Sequence, residues 1–176
     1  MFQRLFRRDS NRKIVEDLYA SIVAAARREH YFSVWQVPDT PLGRFEMISL
    51  TMFLLQHRLR DETGAAREMA QSLIDDFFTD VDHSLRELGI GDMGVPKRMK
   101  KLARMFYGRT LSYGEAIDAA DQAALAVALA RNIRPDAADW PHGPALAAHV
   151  MASVEQLRAT PTESILKGHL VFAEPA

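Results

Sequence analysis

Apolar residues recur at intervals of three and four along most of this chain, and that spacing leaves little choice of architecture. Ile14, Leu18, Ile22 and Ala25 make one stripe, and Phe45, Ile48, Met52, Leu55 and Leu59 a second. Ala70, Leu73, Ile74, Phe77, Val81, Leu85 and Leu88 make a third, and Met99, Leu102, Ala103 and Phe106 a fourth. Residues so spaced share one face of an α-helix. No pair of alternating segments reads as strands, and no internal repeat appears. With 176 residues, 48% of them hydrophobic, the chain can bury a continuous core without staples. The expectation is an all-α, single-domain helical bundle of about six to seven helices. Residues 1–10 read as a basic N-terminal arm, 11–170 as the helical domain and 171–176 as a C-terminal tail.

Punctuation divides the helices. Ser10 or Asn11 caps a first helix that runs to about Arg28. Tyr31 to Val37 reads as a short extended piece, because Pro38 disfavours helix at Val37. Asp39 or Thr40 followed by Pro41 starts the second helix, whose double apolar stripe predicts a central position, and Gly64 closes it. A third helix spans about Ala65 to Leu88, and Gly89 to Gly94 is an interhelical turn. A fourth follows, and Ser112-Tyr113-Gly114-Glu115 has the form of a capping box opening an alanine-rich fifth. Asn132 to Pro144 is irregular, Ala145 to Arg158 is a sixth helix, and Thr160-Pro161-Thr162-Glu163 opens a short last one with Thr160 as N-cap.

Much chemistry is excluded. There are no cysteines, so disulfides, thiolate nucleophiles and thiolate metal sites are absent together. Gly89-x-Gly91-x-x-Gly94 matches a dinucleotide fingerprint as a string, but a helical period precedes it where the fingerprint needs a strand. Gly89 reads instead as a helix C-cap. Asp75, Asp76, Asp80, Asp82 and His83 resemble metal ligands, yet the chain has no Glu-x-x-His, and a solvated acidic face is the better reading. No nucleophile elbow occurs. No catalytic, metal or cofactor-binding residue is assigned, and the chain reads as no enzyme and as needing no cofactor.

A net charge of -1 argues against a globally basic nucleic-acid binder and against specific DNA binding, so charge segregation matters. Lys97, Arg98, Lys100, Lys101 and Arg104, with Arg109 nearby, concentrate positive charge beside Phe106 and Tyr107. Such a stripe meets phosphate, an acidic protein surface or lipid headgroups, or pairs with the acidic face of the third helix. Arg44 sits at a helix start where it fixes the preceding loop through Asp39 or serves a partner carboxylate. Tyr31 and Trp35, in the same loop, are core anchors or an apolar docking patch. The candidate partner-binding set is therefore Tyr31, Trp35, Asp39, Arg44, Lys97, Arg98, Lys100, Lys101, Arg104, Tyr107 and Arg109. No segment has the roughly 20 apolar residues of a spanning helix. The start lacks the apolar core of a secretory signal, which predicts a cytoplasmic location, while Met1 to Arg8, with Phe2, Leu5 and Phe6 among arginines, reads as a frayed arm or a weak membrane-surface anchor.

Five motifs carry a resemblance. Val37-Pro38-Asp39-Thr40, Gly43-Arg44-Phe45-Glu46-Met47, Ser84-Leu85-Arg86-Glu87, Gly89-Ile90-Gly91-Asp92 and Phe106-Tyr107-Gly108-Arg109, in this order and spacing, resemble the ubiquinol-cytochrome c chaperone family, in a bacterial form. The resemblance implies an all-helical, non-catalytic assembly factor for the cytochrome bc1 complex that binds newly made cytochrome b or the immature complex. By analogy with mitochondrial relatives it further implies proximity to the ribosome, and the mixture of apolar faces and positive charge suits a holder of such a client in contact with the inner face of the cytoplasmic membrane. The competing reading is a helical bundle, enzyme or binding protein, that takes a lipid or quinone between the second and fourth helices.

Overall fold

The computed structural model describes residues 2–137 and 139–176, with side chains from Asn11 onward. Among the described residues eight helices follow in order: α1 (Phe2–Ala26), α2 (Glu29–Ser33), α3 (Pro41–Leu59), α4 (Ala65–Glu87), α5 (Val95–Asp118), α6 (Gln122–Ile133), α7 (Gly143–Ala159) and α8 (Thr162–Ile165). Two are a single turn or little more, so six long helices make the bundle, as the periodicity predicts. The backbone of α1 passes residue 10 without a break. The anchoring role considered for Met1 to Arg8 concerns side chains outside the described residues.

α3 is the axis. Every residue from Phe45 to Leu55 is buried, and α1, α4, α5, α6 and α7 all pack on it. Its start is fixed locally: Thr40 is extended and accepts the Gly43 N–H at 3.1 Å, with Pro41 in the first turn. At Gly43 a Cβ would lie 1.9 Å from the Pro38 carbonyl oxygen, so only glycine lets the preceding loop seat on the helix. Around α3, α1 packs on α4, α4 on α5, α5 on α6 and α6 on α7. One apolar core runs through all of them and takes in Phe172 near the C-terminus.

Several boundaries differ from the sequence reading. Tyr31 lies in α2, not in an extended piece, and the chain turns at Val34 and Trp35 through N–H groups donated back to the His30 carbonyl. Gly64 does not close α3, which ends at Leu59; it precedes α4 at φ 59°. The apparent capping box at Ser112 is interior to α5: Ser112 donates its hydroxyl to the Arg109 carbonyl one turn back, while Asp121 caps α6 by accepting the Ala124 N–H at 2.8 Å. Likewise Thr160 ends α7, donating to the Gln156 carbonyl, and Pro161 precedes α8. Gly89 is as read. At φ 78° it donates to Arg86, and Ile90 donates to Leu85, which together make a Schellman stop for α4.

Candidate functional site

The N-terminus of α3, the C-terminal half of α4 and the first turns of α5 do not close on one another. Between them lies an open groove of about 580 Å³. Its floor is Phe45, Ile48, Phe77 and Leu85, all buried side chains of the core, and its walls are Val81 and Leu102. Leu42 and Leu88 stand half exposed at its mouth. Asp39, Arg44, Arg27, Asp80 and Glu87 add charge around it. The size falls in the range of sites that take an apolar ligand or side chains of a partner. Three of the sequence motifs, the Asp39-Thr40 loop, the Arg44-Phe45 helix start and the Ser84 to Glu87 turn, converge on this groove.

The predicted site residues fall into three groups. Asp39 and Arg44 pair at 2.6 Å across the start of α3, and the guanidinium lies 5.8 Å above the Phe32 ring. This pair fixes the loop, and the guanidinium holds the Asp39 carboxyl below its ordinary range. Lys97, Arg98, Lys100, Lys101, Arg104 and Tyr107 are exposed on α5. None of the five cations is in ion-pair contact with a carboxylate among the described residues. Three carboxylates of α4 are committed elsewhere: Asp76 pairs with Arg12 at 2.8 Å, Asp80 accepts the Tyr19 hydroxyl at 2.9 Å, and Asp82 pairs with Arg86 at 2.7 Å. No three His, Asp or Glu side chains gather to hold a metal ion among the described residues.

Tyr31 and Trp35 are a correction. Both are buried, so they anchor the loop from within and present no docking patch. The Tyr31 hydroxyl and His149 Nε2 are hydrogen-bonded at 2.8 Å, the Trp35 ring meets those of Tyr31 and His149, and Trp140 donates its indole N–H to the Trp35 carbonyl at 2.9 Å. Burial and Arg28 push His149 down to about 4, so the ring is neutral at physiological pH.

Arg109 is a second correction. It does not extend the basic stripe but turns inward, where its guanidinium meets Glu46 at 2.7 Å with the carboxylate almost wholly buried. The contact is ionic and poorly directed: Arg109 Nε and Nη1 and the neighbouring Ser49 hydroxyl have no hydrogen-bond partner. Burial pushes the Glu46 carboxyl up to about 7, against the pull of Arg109. Tyr113, which accepts the Asn132 amide at 3.1 Å, completes a polar island between α3, α5 and α6. Glu46 was absent from the candidate residues, although Phe45, Met47, Ile48 and Leu50 surround it in the sequence of the central helix and such a run signals a buried carboxylate.

Among the described residues no helix is long and apolar enough to cross a membrane. The model of the family described as ubiquinol-cytochrome C chaperone matches residues 33–172. The ubiquinol-cytochrome-c reductase complex assembly factor 1 of Xenopus laevis is 25% identical over 124 residues, covering 70% of this chain and 62% of that protein. The Mus musculus protein of that name is 28% identical over 114 residues, covering 65% and 38% respectively. The chain thus spans under two thirds of the length of these curated relatives. The crystal structure of the Cbp3 homolog from Brucella abortus superposes with a TM-score of 0.92 at 54% identity, over 99% of this chain and 97% of that one.

Proposed function

This chain belongs to the ubiquinol-cytochrome c chaperone family, and on that premise we propose that it is a non-catalytic assembly factor for the cytochrome bc1 complex. Its client is newly made cytochrome b or the immature complex, held at the inner face of the cytoplasmic membrane. A nascent membrane protein exposes apolar helices that aggregate in water, so its holder needs an accessible apolar recess of its own. The observation that carries the reading is the groove between α3, α4 and α5, with Leu42 and Leu88 exposed at its mouth. Holding requires no chemistry and no cofactor.

The groove admits one other occupant. Its volume and apolar lining also suit a lipid or quinone tail. Affinity purification from gently solubilised membranes separates the two. Recovery of cytochrome b with the wild-type chain, and its loss with L42E/L88E, is the expected result. Both positions are exposed, so the substitutions leave the core intact. Unchanged recovery with that variant would remove the groove as the client site, and a lipid or quinone retained in native mass spectrometry with no client recovered would favour the ligand-binding reading.

A further inference from the structure

The outward flank of α5 carries a pattern that holding a client in the groove does not explain. At 100° per residue, Val95, Phe106, Tyr113 and Ile117 point into the core. Lys97, Lys100, Arg104, Tyr107 and Leu111 then fall on the opposite side, with Lys101 at its edge. From Val95 to Gly114 the helix contains no acidic residue. Two apolar side chains share the cationic flank, Tyr107 at 58% and Leu111 at 65% exposure, and Met93 in the preceding turn is 98% exposed.

We propose that this flank is a docking surface for an anionic lipid bilayer, with the cations at the headgroups and Met93, Tyr107 and Leu111 inserted among them. The proposal deepens the membrane-face location given above and rests on it. Charge complementarity selects the occupant. The four cations of this flank have no ion-pair partner among the described residues although α4, packed against α5, is rich in carboxylates, of which Asp76, Asp80 and Asp82 are taken by Arg12, Tyr19 and Arg86. An interfacial helix needs such a mixture of cations and embedded apolar side chains. A nucleic acid would use the cations alone and leave exposed Leu111 and Met93 without a role. The stretch from Lys97 to Leu111 is about 21 Å long at a rise of about 1.5 Å per residue, enough for several headgroups side by side.

The test uses the full chain with vesicles of phosphatidylcholine, alone or mixed with phosphatidylglycerol, in co-sedimentation over a salt series. Wild type is expected to bind only the anionic vesicles and to release as salt rises. Each basic residue near such a surface raises partitioning about fivefold, so K100E/K101E should weaken binding at least tenfold. Y107S/L111S should weaken it further at salt concentrations where charges are screened. Circular dichroism melts of both variants control for folding. Wild type that ignores anionic vesicles, a charge-reversed variant that binds like wild type, or tighter binding to an RNA oligonucleotide than to vesicles would each overturn the proposal. Client recovery from detergent is read separately: loss of vesicle binding with client retained supports the division of surfaces, and loss of client from L42E/L88E with vesicle binding retained supports it from the other side.

Discussion

Glu46 and Arg109 come from two helices whose sequences give no hint of each other, and they meet with the carboxylate almost wholly buried. The carboxyl is held near pH 7 because burial disfavours its charge more than Arg109 restores it. Between about 4.5, its value when unfolded, and about 7, the native state keeps a proton that the unfolded chain has released. Stability therefore falls as pH rises through that window, by about 3 kcal/mol if the whole difference is expressed, and is flat above it. His149 acts in the opposite sense. Its native value near 4 lies below the ordinary 6.5, so its contribution is complete above 6.5 and drains away as pH falls towards 4. The two partly cancel in the wild-type curve, and the difference between proteins isolates one of them. The melting temperature of E46Q minus that of wild type should climb by several degrees from pH 5 to 7 and then level, measured by calorimetry. A difference independent of pH would mean that Glu46 does not titrate in this range. The inward turn of Arg109 was legible in principle. It lies three residues after Phe106 and four before Tyr113, on the same buried face, and its basic neighbours in the sequence drew it wrongly to the stripe.

At the scale of elements, the sequence shows helices where apolar spacing is long and misplaces boundaries where the stop signal is unusual. α4 ends on Gly89, whose left-handed conformation is cheap, and the stop is plain. α5 ends with the same hydrogen-bond pattern, Ala120 donating to Ile117 and Asp121 to Ala116, but the left-handed residue is Ala120 at φ 52°. Alanine there costs backbone energy and gives no visible punctuation. The residues Tyr113, Ala116 and Ile117 continue the buried face of Phe106, and tertiary burial carries α5 straight through Ser112 and Gly114. Cap-like strings inside a helix, as at Ser112, then read as boundaries. The two stops make paired predictions of opposite sign. Ala120→Gly should raise stability by about 0.5–1 kcal/mol by removing the strain, while Gly89→Ala, which has open space around its Cβ position, should lower it by about 1 kcal/mol. Urea unfolding with unchanged m-values measures both, and equal signs would refute the argument from backbone conformation.

For the whole molecule, the question is whether the helices are one cooperative body. A single core threads every long helix and reaches Phe172, inside the 171–176 stretch that reads as a tail in sequence. The stretch is tied down by more than that ring: Arg28 donates to the Ala173 carbonyl and pairs with Glu174 at 2.8 Å. Sequence could not assign this, because six residues are too few to show a period, and a Phe in so short an apolar run at a chain end looks the same whether docked or free. If the docked end belongs to the core, truncating Phe172 should act on the entire fold and not on a local flap. Phe172→Ala is expected to cost about 3–5 kcal/mol, a large share of a marginal total, and to lower the melting temperature by about 10 °C. The transition should remain single, with calorimetric and van't Hoff enthalpies equal. A small early transition with the main one unmoved would mean that the end folds by itself onto a body stable without it. K100E/K101E should leave the melting temperature within about 2 °C, since exposed charges contribute ~0 to 1 kcal/mol. That contrast separates the two kinds of surface in this molecule: an interior whose every aromatic side chain bears on stability, and an α5 flank whose charges contribute almost nothing to folding and so are free to serve a partner.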